Sequence, residues 1–131
     1  MARITYVEDD EIAGELVREI LSEAGHIVGV IAHGELGRDT IALKLPDLVI
    51  LDRELPGMEG LDILRSLRSV SGLYRTPILI LSANRTRKSI DEAMQAGAAA
   101  YLVKPFDPAE LVRVVEQCLC DANSGTAGAR A

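Results

Sequence analysis

Residues 47–60 read DLVILDRELPGMEG, and this stretch decides the fold. Four consecutive apolar residues, Leu48 to Leu51, run straight into Asp52, and a Leu-Pro-Gly turn follows at residues 55–57. A short unbroken apolar run bounded by turn residues is the mark of a strand buried on both faces, as in a parallel sheet. Such a strand would deliver a single carboxylate to its end. In open parallel sheets, loops and helix N-termini converge at the carboxyl ends of the strands, so Asp52 is a candidate reactive group. Taken alone, an Asp at that position is more often a turn or capping residue.

Outward from this strand the pattern alternates. Toward the N-terminus, residues 3–7 (RITYV) favour a strand and end in Glu8, Asp9 and Asp10, after which Ile12, Leu16, Ile20 and Ala24 recur at fourfold spacing. Asp10 reads as the helix N-cap and Gly25 as its stop. Residues 26–32 (HIVGVIA) suggest a second strand, and residues 34–44 a helix assigned from context, since Leu36, Ile41, Ala42 and Leu43 make no clean stripe. Toward the C-terminus, Leu61, Leu64 and Leu67 mark a third helix expected to stop near Gly72. Residues 77–81 (PILIL) form a fourth strand followed by Ser82. After a basic loop, Arg85 to Lys88, the positions Ile90, Ala93, Met94 and Gly97 mark a fourth helix. Residues 99–103 suggest a fifth strand. Asp107, Pro108 and Glu110 open a last helix that carries Leu111, Val112, Val115 and Leu119 on one face. Five strands alternating with five helices imply an α/β fold, a parallel sheet with helices on both faces. The final residues, 122–131 (ANSGTAGARA), are small and polar and are expected to form a flexible tail.

Composition narrows the function. The 131 residues suit one domain with an aliphatic core, because there is no Trp and the only aromatic residues are Tyr6, Tyr74, Tyr101 and Phe106. A net charge of −6 disfavours direct binding to nucleic acid, which needs a basic face. No apolar run approaches membrane-spanning length, and the acidic start is unlike a signal peptide. Cys118 and Cys120, one residue apart in a helical stretch, diverge and favour neither a disulfide nor a metal pair, so reduced thiols in a cytoplasmic protein are expected.

The strand ends now combine. The first strand ends in Glu8 and Asp9, the third in Asp52, the fourth in Ser82 and the fifth in Lys104, so the sheet gathers them at one edge. Each has an ordinary reading as a turn, cap or surface residue. Together, three clustered carboxylates repel unless a hard cation with oxygen ligands offsets them, and Mg²⁺ is the natural occupant. A lysine and a hydroxyl beside it suit an anion that also touches the metal. Phosphoryl transfer onto Asp52, giving an aspartyl phosphate, is the chemistry that fits.

The motifs VEDD (7–10), DLVILDRELPGMEG (47–60), ILILSAN (78–84) and AGAAAYLVKPF (96–106), with the Asp-Pro start of the last helix, resemble the receiver domain of bacterial two-component response regulators. The resemblance covers about residues 3–121, taken as the domain 1–121, and implies a flavodoxin-like fold of strand order 2-1-3-4-5. It implies that Asp52 is the phosphoacceptor, supplied by a sensor histidine kinase or phosphotransfer protein. Asp9 would ligate Mg²⁺ directly, Glu8 through water and Glu54 by its backbone carbonyl. Ser82 matches the switch hydroxyl, Tyr101 the switch aromatic and Lys104 the phosphate-binding lysine; the Lys104–Pro105 peptide is often cis in the family. Glu54 and Asn84 occupy positions that tune loss of the phosphoryl group. The implied protein is a signalling switch rather than an enzyme with a separate substrate. On phosphorylation Ser82 would move, Tyr101 would turn inward, and the face made by the fourth helix, fifth strand and fifth helix would bind a downstream protein, as a monomer or a phosphorylation-dependent dimer.

Two alternatives follow from the same residues. Phosphatases of the haloacid dehalogenase class share a strand-end Asp, a Ser or Thr, a Lys and Mg²⁺, but place a second Asp where Glu54 stands and bring their metal-binding acids late in the chain. A receiver cut from a larger DNA-binding or enzymatic regulator is the other; as it stands the chain reads as a stand-alone receiver module. The basic residues Arg85, Arg87 and Lys88 read either as a solvated loop or as a docking patch for an acidic partner.

Overall fold

The computed structural model describes residues 1–123. Five strands, β1 (Arg3–Val7), β2 (Ile27–Ile31), β3 (Leu48–Asp52), β4 (Ile78–Ser82) and β5 (Ala100–Val103), alternate with five helices, α1 (Glu11–Glu23), α2 (Gly34–Lys44), α3 (Gly60–Arg68), α4 (Arg87–Ala96) and α5 (Pro108–Asn123). All neighbouring strands pair in parallel, in the order β2-β1-β3-β4-β5. The expected flavodoxin-like architecture is therefore present. Of the expected tail 122–131, Ala122 and Asn123 complete α5, and the rest lies outside the described residues.

Period-two alternation within the buried strands splits the core in two. Ile4, Tyr6, Leu48, Ile50, Leu79 and Leu81 face α1 and α5, which contribute Val17, Leu21, Leu111, Val115, Cys118 and Leu119. Val7, Val49, Leu51, Ile78 and Ile80 face α2, α3 and α4, which contribute Ile41, Leu61, Ile63, Leu64, Leu67 and Ala93. β3 is buried along its whole length, as a central parallel strand should be.

Helix phasing departs from the fourfold pattern read for α1. Ile12 and Leu16 are exposed at 82% and 52%, whereas Gly14, Val17 and Leu21 are buried. The reason is steric: a Cβ on Gly14 would lie 2.8 Å from Val30 Cγ1, so the helix packs on β2 through its bare backbone. The same device explains the missing stripe of α2, which buries Gly34, Gly37 and Ile41 and leaves Leu36 and Leu43 exposed. On α5, Cys118 rather than Val112 completes the buried face; its thiol is pushed up to about 11 by burial, with Asp121 adding to the effect, and Cys120 is exposed and free.

The ends are locally determined. Asp10 caps α1, its side chain accepting from the Ile12 and Ala13 N–H groups at 3.0 and 3.4 Å. Gly25, at φ 97°, closes it: its N–H donates to Ser22 O, and the His26 N–H to Leu21 O, both at 3.0 Å. α3 stops at Arg68 rather than near Gly72, because Ser69 and Val70 tighten into turns onto Ser66 and Leu67. Arg68 then folds back, donating from Nη1 to Leu73 O (2.9 Å) and Thr76 O (2.7 Å) and from Nη2 to Gly97 O (2.7 Å). Burial among these carbonyls lowers its pKa. Arg87 and Lys88, expected in a loop, form the first turn of α4 behind a Thr86 cap.

Candidate functional site

The parallel register sets the site. Val7 pairs with Leu51, Asp52 with Leu81 and Ser82 with Val103, so Glu8, Asp52, Ser82 and Lys104 emerge at one edge of the sheet. Oxygen atoms of Glu8, Asp9 and Asp52 lie within 4.8 Å of one another, an arrangement able to hold a divalent cation through carboxylates. Glu8 and Asp52 are nearly buried, at 3% and 5% exposure.

Lys104 offsets part of that charge. Its Nζ donates to Asp52 Oδ2 at 3.0 Å and to Glu8 Oε1 at 3.3 Å. Burial alone would lower its pKa, but the hydrogen bond and charge of Asp52, then those of Glu8, raise it above the usual lysine range. The Lys104–Pro105 peptide is cis, as the family resemblance implied. The Lys104 N–H also donates to Ser82 O at 2.8 Å, tying the lysine's backbone to the strand that carries the hydroxyl.

Glu54, Ser82, Asn84 and Tyr101 form a hydrogen-bonded series that leads from Asp52 to the β4–α4 loop. The Glu54 N–H donates to Asp52 Oδ1 at 3.1 Å, while the Glu54 carboxylate accepts the Ser82 hydroxyl at 2.6 Å. The Asn84 N–H donates to Ser82 Oγ at 3.0 Å, and its side-chain oxygen accepts from Thr86 N and Thr86 Oγ1 at 3.0 and 2.8 Å. Asn84 therefore shapes the start of α4 with its side chain. The Tyr101 hydroxyl donates to Asn84 O at 2.5 Å and contacts Ser89 Oγ at 2.8 Å. Tyr101 thus already rests on the β4–α4 loop while Ser82 is held by Glu54.

Four residues of the site escaped sequence reasoning. The buried Tyr6 hydroxyl donates to Glu8 Oε1 at 2.9 Å and fixes that carboxylate; burial and the charge of Glu8 raise the phenol's pKa. Its strand position next to the acidic pair was the available signal. Arg53, immediately after Asp52, reaches across to α4, its Nη1 on Ser89 O (2.7 Å) and Ser89 Oγ (2.6 Å) and its Nη2 on Glu92 Oε1 (2.7 Å). Neither Arg53 nor Ser89 has a sequence signature. Gly60 packs against the acceptor peptide: a Cβ there would meet Asp52 O at 2.4 Å.

Beside the carboxylates, Tyr6, Ala13, Leu16, Val17, Lys104, Pro105 and Phe106 line a groove of about 260 Å³ between α1 and the β5–α5 loop. Leu16, exposed at 52%, also belongs to the neighbouring surface of α1 that carries the exposed Ile12. Among the described residues, no helix is long and apolar enough to cross a membrane.

Comparison with known proteins agrees with this geometry. A family model for the response regulator receiver domain matches residues 4–116. The DNA-binding response regulator MtrA of Mycobacterium tuberculosis is 38% identical over 110 residues, which are 84% of this chain and 47% of that protein. The chain spans about half the length of the MtrA relatives it matches. Among solved structures, the chemotaxis response regulator CheY4 of Vibrio cholerae superposes with a TM-score of 0.86 at 29% identity, covering 90% of this chain and 98% of that one. The receiver domain of the sensor histidine kinase PA1611 from Pseudomonas aeruginosa, with magnesium coordinated in its active-site cleft, superposes with a TM-score of 0.83 at 29% identity, covering 90% and 97%. The chain belongs to the response regulator receiver domain family, the phosphoaccepting signalling switches of two-component systems.

Proposed function

We propose that Asp52 is the phosphoacceptor of this receiver, and that Glu8, Asp9 and Asp52, with the Glu54 backbone carbonyl, hold Mg²⁺. The observation that carries this reading is the convergence of three carboxylates within 4.8 Å on an aspartate that is also bound by Lys104 at 3.0 Å. The magnesium in the PA1611 receiver supports the choice of cation. Bound Mg²⁺ would offset negative charge on the phosphoryl oxygens.

An Asp52 oxygen attacks phosphorus, the bond from phosphorus to the donor's histidine nitrogen breaks, and the imidazole leaves with its electron pair. Lys104 holds the carboxylate beforehand and shares its protons with the phosphoryl oxygens afterward. Ser82 transfers its hydroxyl hydrogen bond from Glu54 to one of those oxygens, and the β4–α4 loop follows. The chain catalyses only its own phosphorylation and dephosphorylation.

The donor, a sensor histidine kinase or phosphotransfer protein, would approach over the groove beside Lys104, where Leu16 and Phe106 offer apolar contact. Output is a protein-binding event on the face of α4, β5 and α5, as monomer or phosphorylation-dependent dimer. Residues 1–121 form the receiver unit, in the cytoplasm; the longer regulators of the MtrA kind allow it to be one part of a DNA-binding protein.

The test is intact mass after incubation with acetyl phosphate and Mg²⁺, beside Asp52→Asn and an EDTA control. One labile phosphoryl group on the wild type, absent from both controls, is expected. A group that persists in Asp52→Asn would move the acceptor elsewhere.

A further inference from the structure

The edge strand β2 reads Ile27-Val28-Gly29-Val30-Ile31, the same in both directions. It ends the strand order and carries no charge, no proline and no bulge, the usual protections of a sheet edge. The Ile27 N–H donates to Ala2 O and Ile31 O accepts the Glu8 N–H, so these residues, with Gly29 between them, turn their backbone groups toward β1. By alternation, Val28 and Val30 turn theirs outward, where no strand of the described residues lies.

A strand that reads the same both ways can pair with a second copy of itself. In antiparallel register about Gly29, Val28 faces Val30 of the second copy and exchanges both backbone hydrogen bonds with it, and the two-fold axis repeats that pair. Ile27 then faces Ile31 on the α2 side of the sheet.

Helix α2 carries the same symmetry. Thr40 and Lys44 line a groove of about 380 Å³ together with Ile27, Gly29 and Ile31, so this side of α2 overlooks the edge. Leu36 and Leu43, four residues before and three after Thr40, lie on the same side and are exposed at 55% and 80%. Two antiparallel copies of α2 bring Leu36 against Leu43. With the same midpoint, they bring acidic Glu35 of the first turn against basic Lys44 of the last. Arg38 and Asp39, near that midpoint, pair with each other.

We propose that this chain forms an isologous dimer through β2, two five-stranded sheets joined edge to edge with the two α2 helices alongside. The palindromic strand and the charge pattern of α2 are complementary to themselves, which selects a second copy as the occupant. β2 and β5 are opposite edges, so the dimer leaves the face of α4, β5 and α5 open and is independent of the state of Asp52.

The test is sedimentation velocity of the unphosphorylated full chain over a range of concentrations. The wild type is expected to pass from monomer to dimer and to stop there. Ile27→Lys is expected to weaken the dimer about tenfold, because the two-fold axis repeats the change and sets a charge against an isoleucine. The double variant Ile27→Lys/Ile31→Glu is expected to restore it, since opposite charges then face each other between copies. Leu43→Glu probes the helix contact from an exposed position and is expected to weaken the dimer even if Ile27→Lys fails to fold. Asp52→Asn is expected to dimerise as the wild type does. A wild type that stays monomeric at every concentration would overturn the proposal. A dimer left unchanged by both Ile27→Lys and Leu43→Glu would place the interface elsewhere, and a species that keeps growing past the dimer would exclude the closed two-fold. A double variant no tighter than Ile27→Lys would overturn the register.

Discussion

Lys104 illustrates how one residue couples charge to stability. Its pKa in the folded state lies above the unfolded value of about 10.4, because Asp52 and Glu8 outweigh its burial. A raised folded pKa contributes stability that is fully present below the unfolded value and is lost as pH rises through the folded one. The urea midpoint of the wild type is therefore expected to exceed that of Lys104→Met at neutral pH, with the gap narrowing above about pH 10.4. A gap that stays constant into the alkaline range would separate Lys104 from this stabilisation. Glu54 acts through position rather than linkage. Its carboxylate is held by the Ser82 hydroxyl at 2.6 Å, two residues beyond Asp52, and under the proposed function it would oppose an incoming water. Once phosphorylated, the wild type is expected to lose its phosphoryl group more slowly than Glu54→Asn, by mass measured over time; an equal or faster loss would count against the carboxylate.

At the scale of elements, helix α3 is positioned by one missing side chain. Gly60 brings its first turn onto the Asp52 carbonyl and donates its N–H to Arg53 O at 2.9 Å. Because a Cβ there meets backbone that cannot swing away, Gly60→Ala is expected to cost about 1–3 kcal/mol and to slow phosphorylation. Gly29→Ala, with nothing within 4 Å of the added carbon, is the control and should stay within about 0.5 kcal/mol by chemical denaturation. Glycine packing is also where the sequence was hardest to read. Apolar counting finds Ile12 and Leu16 on α1 and Leu36 and Leu43 on α2, yet Gly14, Gly34 and Gly37 make the contacts, since close approach needs the absence of a side chain and leaves no hydrophobic trace. By contrast β3, with its uninterrupted apolar run into Asp52, was legible from local pattern alone, as were Glu8, Asp9, Ser82 and Lys104 at their strand ends. Arg53, Ser89 and Tyr6 were not, because their roles exist only once strands and α4 are side by side. The end of α3 was missed for a similar reason: Gly72 has the positive φ expected of a stop, but it serves the turn after the helix.

For the whole molecule, the acidic edge is a stability cost that the proposed cation would relieve. Glu8 and Asp52 share one lysine with Asp9 clustered beside them, and a ligand that binds only the folded state adds about 2.7 kcal/mol at a hundred times its Kd. Mg²⁺ is expected to raise the melting temperature of the wild type, and Asp9→Asn, relieved of one charge, is expected to lose most of that rise in a thermal scan with and without EDTA. An equal Mg²⁺ effect in the variant would place the cation elsewhere. The opposite edge of the sheet is built on other terms. There the Arg68 guanidinium gathers the carbonyls of Leu73, Thr76 and Gly97, so one side chain from the end of α3 fastens the approach to β4 and the turn before β5. A planar fork does this where a lysine's single ammonium could not span the same acceptors. The sheet is in effect a cantilever: its β4 and β5 strands are clamped at their roots, so under the proposed function displacement produced by chemistry at Asp52 would have the β4–α4 loop and the face of α4 as its outlet.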